Sequence, residues 1–199
     1  SRLIMVSMIA QLTWLLTLTR SHVIARRYFV VNGFDGALTM LGLLVGFYVS
    51  DDVGLPVVMN ACLGVAIALG MSGVSSAYIS EFAEKQRELR ELEKAMVADL
   101  GQSAHGRAAR LLPVVIACVN GAAPLAISLV ILLPMLAAPL LKPLSILSLE
   151  AAFALALIII FLLGVYLGRI SHTFWLWAGL RTLFIAAATT ALIFAISPE

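Results

Sequence analysis

The chain has 199 residues, of which 62% are hydrophobic and 12% are charged. Soluble domains carry about 25% charged residues, so this composition argues against a soluble protein and favours a membrane protein. The formal net charge of +2 is too small to indicate a nucleic-acid partner. The two cysteines, Cys62 and Cys118, lie inside apolar runs, with neither a disulfide framework nor zinc-ligand spacing.

The N-terminal segment, residues 1–25, contains the apolar stretch LIMVSMIAQLTWLLTL (3–18). This stretch is shorter than the ~20 residues that a helix needs to cross the hydrocarbon core, and it contains several polar side chains. We expect a helix that lies in the membrane interface or packs on the bundle. A sixth span is the alternative. A signal peptide is a third interpretation, although no small-residue cleavage site precedes Arg20.

Five later runs are long and apolar enough to cross the hydrocarbon core as helices. They cover roughly residues 28–50, 55–80, 111–138, 148–168 and 175–197. The second run continues without proline or glycine into SEFAEKQRELRELEKAM (80–96), so one helix should leave the membrane there and enter the cytoplasm. The segment DLGQSAHGRAAR (99–110) then reads as a turn back to the third run.

The predicted fold is therefore an all-α integral membrane protein with five transmembrane helices and an N-terminal interfacial helix. Its domains are the N-terminal helix (1–25) and the five-span domain (26–199), with a cytoplasmic helical hairpin at about 81–110. Basic residues set the orientation, because Arg and Lys concentrate in cytoplasmic loops. They precede the first span, fill the 81–110 loop and recur at Arg169. We expect a multi-pass protein of the cell membrane with a cytoplasmic N-terminus and an external C-terminus.

Small and polar residues share one face of the first span. Residues three or four apart lie on the same side of a helix, and this side carries Asn32, Asp35, Thr39, Gly42, Gly46 and Ser50. A charged group inside a bilayer is costly, and it usually faces a protein interior or a watered cavity. The face is either part of a transport path or a packing surface on which a nearby donor satisfies Asp35.

The second span has a matching face, formed by Asn60, Gly64, Ala68, Met71 and Ser75. Counted from the cytoplasmic ends of their helices, Asp35 and Met71 both lie roughly 10–12 Å deep. A carboxylate oxygen together with a thioether sulfur suits a transition metal better than Mg²⁺ or Ca²⁺. The alternative is that Met71 only fills space between helices.

The helix that follows the second span has one acidic and one apolar side. The acidic side falls within about an 80° arc and consists of Glu81, Glu84, Glu88 and Glu91. The apolar side needs cover from the bundle or from a second copy of the chain, and it consists of Phe82, Leu89, Leu92 and Met96.

These glutamates could collect cations at the mouth of a path, where Asp99 and His105 could add ligands. Alternatively, they form ordinary surface ion pairs, for which the spacing offers Glu81–Lys85, Glu84–Arg87 and Arg87–Glu91.

The block RRYFVVNGFDGALTMLGLLVG (26–46), the second span ending in SGVSSAYISEFAE (72–84), the Glu-rich helix and three further spans resemble the vacuolar iron transporter family, more narrowly its archaeal branch. The resemblance covers nearly all of the chain after about residue 26. It implies five membrane helices per subunit, a homodimer, and export of Fe²⁺, Mn²⁺ or other divalent metals from the cytoplasm in exchange for protons.

The resemblance also implies roles for particular residues. Asp35 would line the transport path, a methionine of the second span would join it, and the glutamates of the cytoplasmic helix would gather metal. Aligned on Tyr78, the family's second-span Met and Glu positions fall on Gly73 and Ala77. Met71 lies two residues before Gly73, about 200° away around the helix.

The predicted function is transport of a divalent metal of the Fe²⁺ or Mn²⁺ type by proton exchange. The Glu81–Glu91 arc would capture the cation, Asp35 would receive it with Met71, and protonation of Asp35 from outside would release it. Metal ions, protons, the bilayer and a second subunit are the expected partners, with no resident cofactor.

The alternative is a dimeric membrane scaffold or sensor that transports nothing and acts through its cytoplasmic helix. An enzyme is not expected, since the sequence lacks Gly-x-Ser-x-Gly, His-Glu-x-x-His and a phosphate loop.

Overall fold

The computed structural model describes residues 21–50, 53–137 and 148–196. This part of the chain contains five helices, all of them long and apolar enough to cross a membrane. The prediction of five such helices is confirmed. They are α1 (Ser21–Val49), α2 (Leu55–Met96), α3 (Ala104–Ala137), α4 (Ser148–Ile170) and α5 (Trp175–Ile196). The proposed interfacial stretch, residues 3–18, lies outside the described residues.

Helices α1 and α3 begin earlier than the hydropathy of the sequence predicted. Helix α1 is already formed at Ser21, and α3 is formed at Ala104 instead of near residue 111. Hydropathy marks where a helix becomes apolar, whereas its start depends on capping. Ser103 supplies that cap for α3, because its Oγ accepts a hydrogen bond from the Gly106 backbone N–H at 3.3 Å.

Helix α2 is the longest element, with 42 residues. At 1.5 Å per residue this is about 63 Å of helix, twice the ~30 Å thickness of a hydrocarbon core. The expected continuous helix through residues 80–96 is therefore present. It ends in a Schellman motif, in which the Ala98 N–H donates to the Glu93 carbonyl oxygen at 3.3 Å. Val97 occupies the left-handed position of this motif, with φ 51°.

The chain divides into two compact units. The first contains the described residues up to Phe29 together with Met71–Ala122, and the second contains the described residues of Val30–Gly70 and those from Ala123 onward. The second unit holds the main apolar core. Its fully buried large side chains are Met40, Leu41, Leu44, Cys62, Ile131, Leu132, Met135 and Ile160.

Small residues allow α4 and α5 to approach closely within the second unit. A Cβ on Gly164 would lie 2.9 Å from the Ala178 carbonyl oxygen. The buried Thr182 hydroxyl donates across the helix pair to the Ile160 carbonyl at 3.1 Å and is also 2.8 Å from the Gly179 carbonyl in its own helix. Small residues with hydroxyl groups are typical of membrane helix contacts, because they bring backbones together and satisfy polar atoms.

In the first unit, α2 and α3 meet at Gly73. The buried Asn120 side chain donates from Nδ2 to the Gly73 carbonyl oxygen at 2.7 Å. A Cβ on Gly73 would lie 2.9 Å from Gly121 Cα, so only glycine permits this approach. Asn120 lies inside α3, which continues past Pro124, and its side chain joins α3 to α2.

Candidate functional site

Asp35 is exposed on α1, beside a glycine that the packing requires. A Cβ on Gly36 would lie 2.8 Å from Pro124 Cα, and Ala37 is fully buried. These two residues fix the side of α1 that faces α3, which leaves the Asp35 side chain on the exposed side. Among the described residues, no hydrogen-bond or ion-pair partner reaches this carboxylate. The packing interpretation, in which a nearby donor satisfies Asp35, therefore finds no donor in the described part of the chain.

The small-residue face of the second span is also uncovered. Asn60, Gly64, Ala68, Met71 and Ser75 are all exposed, and a Cβ on Gly64 would meet no atom within 4 Å. The exposed fraction of Met71 is 61%, which shows that it does not fill space inside this chain. The Ser75 hydroxyl is satisfied within α2, because it donates to the Met71 carbonyl oxygen at 2.8 Å.

Gly73 and Ala77, the positions singled out by the resemblance, lie on a different side of α2 from Met71. Both are buried, and Gly73 is in close contact with Asn120 and Gly121 of α3. A methionine at position 73 would have no room here. Met71 is exposed and Gly73 is buried, so Met71 cannot occupy the Gly73 position without turning α2. Met71 stays a predicted metal ligand on its own exposed face.

The four glutamates of the acidic arc have different surroundings. Glu88 Oε2 is 2.7 Å from Lys85 Nζ, and Glu91 Oε1 is 2.9 Å from Arg87 Nε. The predicted Arg87–Glu91 pair is thus confirmed, whereas the predicted Glu81–Lys85 pair is wrong because Lys85 turns toward Glu88. The hydrogen bond and the charge of Glu91, and then the charge of Glu84, raise the pKa of Arg87.

Glu81 is held by a neutral donor. The Tyr28 hydroxyl of α1 donates to Glu81 Oε1 at 2.9 Å, and both residues belong to the first unit. The Arg27 guanidinium lies 5.7 Å from the centre of the Tyr28 ring, within reach of a cation–π contact. Glu81 and Glu84 have no cationic side chain within ion-pairing distance among the described residues.

The apolar side of the helix is only partly covered. Leu89 and Leu92 are half-buried and line a cavity of about 100 Å³ with residues of α3, including Leu112. Phe82 and Met96 stay exposed by 39% and 58%. Helix α3 therefore covers Leu89 and Leu92 in part, while Phe82 and Met96 are accessible to another molecule.

Asp99 and His105 do not complete a metal centre. The Asp99 Oδ1 atom accepts the Gly101 backbone N–H at 2.8 Å and shapes the turn after α2. His105 is exposed on the first turn of α3. Within the described residues, no three His, Cys, Asp or Glu side chains are close enough to hold one ion.

No family model matches the chain. It is similar to an uncharacterised protein of Methanocaldococcus jannaschii, with 28% identity over 173 residues. The similar region covers 85% of this chain and 87% of that protein, so it is not confined to a single motif. No solved structure matches.

Sequence reasoning missed Tyr28 as a partner of the acidic arc. The two bonded residues are 53 positions apart in the chain, and helical periodicity relates only residues within a few turns. The only local signal is a phenol at the start of an apolar helix, which is also typical of membrane interfaces. The bond could be found only from the packing of α1 against α2.

Proposed function

We propose that this protein is a multi-pass membrane protein that exports a divalent metal ion of the Fe²⁺ or Mn²⁺ type in exchange for protons. The observation that carries the proposal is the exposed Asp35 carboxylate on α1, a helix apolar enough to span a membrane. Such a carboxylate cannot face lipid without a cost of several kcal/mol. It is therefore better accommodated in a water-filled path or in a contact with a further polypeptide segment.

A homodimer supplies that cover. The exposed face of α2 carries Gly64, Ala68 and Ser75, and a face of small residues allows another helix to approach closely. Met71 lies on the exposed face of α2 and contributes a thioether sulfur. In the proposed dimer, Asp35 and Met71 would line the path of the metal. The resemblance to the vacuolar iron transporter family supports this assignment.

Cation capture would begin on the cytoplasmic part of α2. Glu81 and Glu84 lie one turn apart and carry charge that no described ion pair neutralises, so they are the strongest candidates for the first contact. Glu88 and Glu91 already pair with Lys85 and Arg87, and would need to release these cations before binding metal. Asp35 would then receive the metal, and a proton from the outside would displace it.

The transport proposal is tested by metal flux into proteoliposomes under a pH gradient, with Fe²⁺, Mn²⁺, Co²⁺ and Zn²⁺ offered in turn. Asp35→Asn should abolish flux and leave the oligomeric state unchanged. Asp99→Asn is the matched control, because the amide oxygen can still accept the Gly101 N–H. Unchanged flux in Asp35→Asn, or no flux of any metal in folded wild type, would reject the proposal.

A second candidate is a dimeric membrane scaffold or sensor that acts through its cytoplasmic helix. The stacked pair of Tyr78 and Phe82, with ring centres 5.7 Å apart, favours it, because both rings stay exposed in this chain. Exposed aromatic side chains are common at the centres of protein interfaces. Replacing Glu81, Glu84, Glu88 and Glu91 by Gln would impair metal flux in the first candidate but leave partner binding intact in the second.

A further inference from the structure

A cavity of about 300 Å³ lies within the second unit, beside the last turns of α1 and α5 and the first turns of α4. Leu44 and Val45 of α1 border it and are almost fully buried, with 1% and 2% of their surface exposed. Phe153 of α4 and Phe194 of α5 supply aromatic walls. The volume is at the lower end of ligand pockets in proteins, so it suits a single chain-like apolar group.

Polar groups at the cavity are few. The Thr190 hydroxyl is already used, because it donates to the Ala186 carbonyl oxygen at 3.0 Å in its own helix. The two other polar side chains of the lining are Tyr48 and Glu150, and both are exposed. Among the described residues that line the cavity, Glu150 is the only charged one. The cavity therefore combines an apolar interior with one carboxylate at its edge.

The position of the cavity along the helices indicates what can enter it. Its lining residues lie within about six residues, or about 9 Å, of the last residue of α1, the first of α4 and the last of α5. In a membrane, this places the cavity at the boundary between acyl chains and headgroups. A molecule with an apolar tail and a polar head is the one that meets both environments there.

The carboxylate of Glu150 discriminates between lipids by the charge of their headgroups. Glu150 is the acidic residue in the first turn of α4. An anionic headgroup would meet like charge, whereas an ammonium group would form a charge-assisted hydrogen bond. The apolar walls supply affinity for the acyl chain, and the carboxylate supplies preference for the headgroup.

We propose that this cavity holds one acyl chain of a lipid whose headgroup carries an ammonium group, with Glu150 as the acceptor for that group. The site depends on the membrane location in the proposed function and is independent of metal transport. Lipid binding and metal flux can therefore succeed or fail separately.

Native mass spectrometry of the full chain tests the site. The protein, purified in detergent, is offered phosphatidylethanolamine and phosphatidylglycerol with identical oleoyl chains. Wild type should retain phosphatidylethanolamine in about threefold to fivefold excess, as expected for an exposed ion pair. Glu150→Gln should bring the ratio close to one, and Glu93→Gln is the matched control that should leave it unchanged. Thr190→Phe, which reduces the cavity, should lower retention of both lipids.

Equal retention of the two lipids by wild type would overturn the proposal, as would an unchanged ratio in Glu150→Gln. Glu150 is exposed, so its amide variant should fold even if Thr190→Phe does not. A reduced ratio in Glu150→Gln with no metal flux in wild type would keep the lipid site and reject the transporter. Metal flux without a lipid preference would support the transporter and reject the lipid site.

Discussion

Tyr28 and Glu81 are joined by a 2.9 Å hydrogen bond between α1 and the part of α2 that carries the acidic arc. The bond is partly buried and is formed between side chains 53 positions apart. It distinguishes Glu81 from the three other glutamates, because a neutral hydroxyl orients a carboxylate without neutralising its charge. A cation that approaches Glu81 therefore meets a carboxylate that is held in position but forms no ion pair with the described residues.

Tyr28→Phe should lower the free energy of unfolding by about 1 kcal/mol, since a hydrogen bond to a charged acceptor is lost from a partly buried site. Thermal unfolding in detergent measures this change. Tyr78→Phe is the control, because the Tyr78 ring stacks on Phe82 and that stacking survives loss of the hydroxyl. The double variant Tyr28→Phe with Glu81→Gln should lose less unfolding free energy than the sum of the losses in the two single variants. A loss equal to that sum would show that the two side chains are not coupled.

Two pairs of glutamates should differ in metal capture. Glu81→Gln with Glu84→Gln removes carboxylates that are free of ion pairs, and we expect metal affinity to fall about tenfold or more. Glu88→Gln with Glu91→Gln removes carboxylates already paired with Lys85 and Arg87, and the loss should be smaller. Titration of Mn²⁺ into the purified protein measures both. The same loss in the two double variants would mean that the ion pairs do not control access to the glutamates.

Two glycines of α2 should respond oppositely to alanine. At Gly73 the new Cβ would lie 2.9 Å from Gly121 Cα, so Gly73→Ala should destabilise the protein by about 1–3 kcal/mol. At Gly64 the Cβ would meet nothing within 4 Å, so Gly64→Ala should be neutral or stabilise the helix by up to about 1 kcal/mol. Unfolding of the two variants in the same detergent compares them. A stable Gly73→Ala variant would contradict the close contact between α2 and α3.

Val97 should be a site for stabilisation. It is a β-branched residue at φ 51°, with 92% of its surface exposed, in the left-handed position that ends α2. The left-handed conformation costs a side chain with a Cβ roughly 1–2 kcal/mol, and glycine avoids that cost. Val97→Gly should therefore raise the midpoint of thermal unfolding. Met96→Gly, one residue earlier inside the helix, should lower it, and the opposite order would rule out strain at residue 97.

The sequence by itself determined the five apolar helices and the long continuous α2. Both follow from local properties, because a helix satisfies its backbone hydrogen bonds within one segment and hydropathy is summed over neighbouring residues. The faces of these helices were also predictable from spacing, including the face that carries Asp35 and the acidic arc of α2.

Only the tertiary structure decided how these faces are used. Gly73 and Gly64 are the same residue type in the same helix, yet Gly73 is pressed against α3 and Gly64 is open. Likewise, Glu81 and Glu88 share one arc, yet Glu81 is bonded by Tyr28 and Glu88 is paired with Lys85. These differences depend on contacts between segments far apart in the chain. Helical periodicity predicts which residues share a face, whereas the packing of the helices determines which side chains that face contacts.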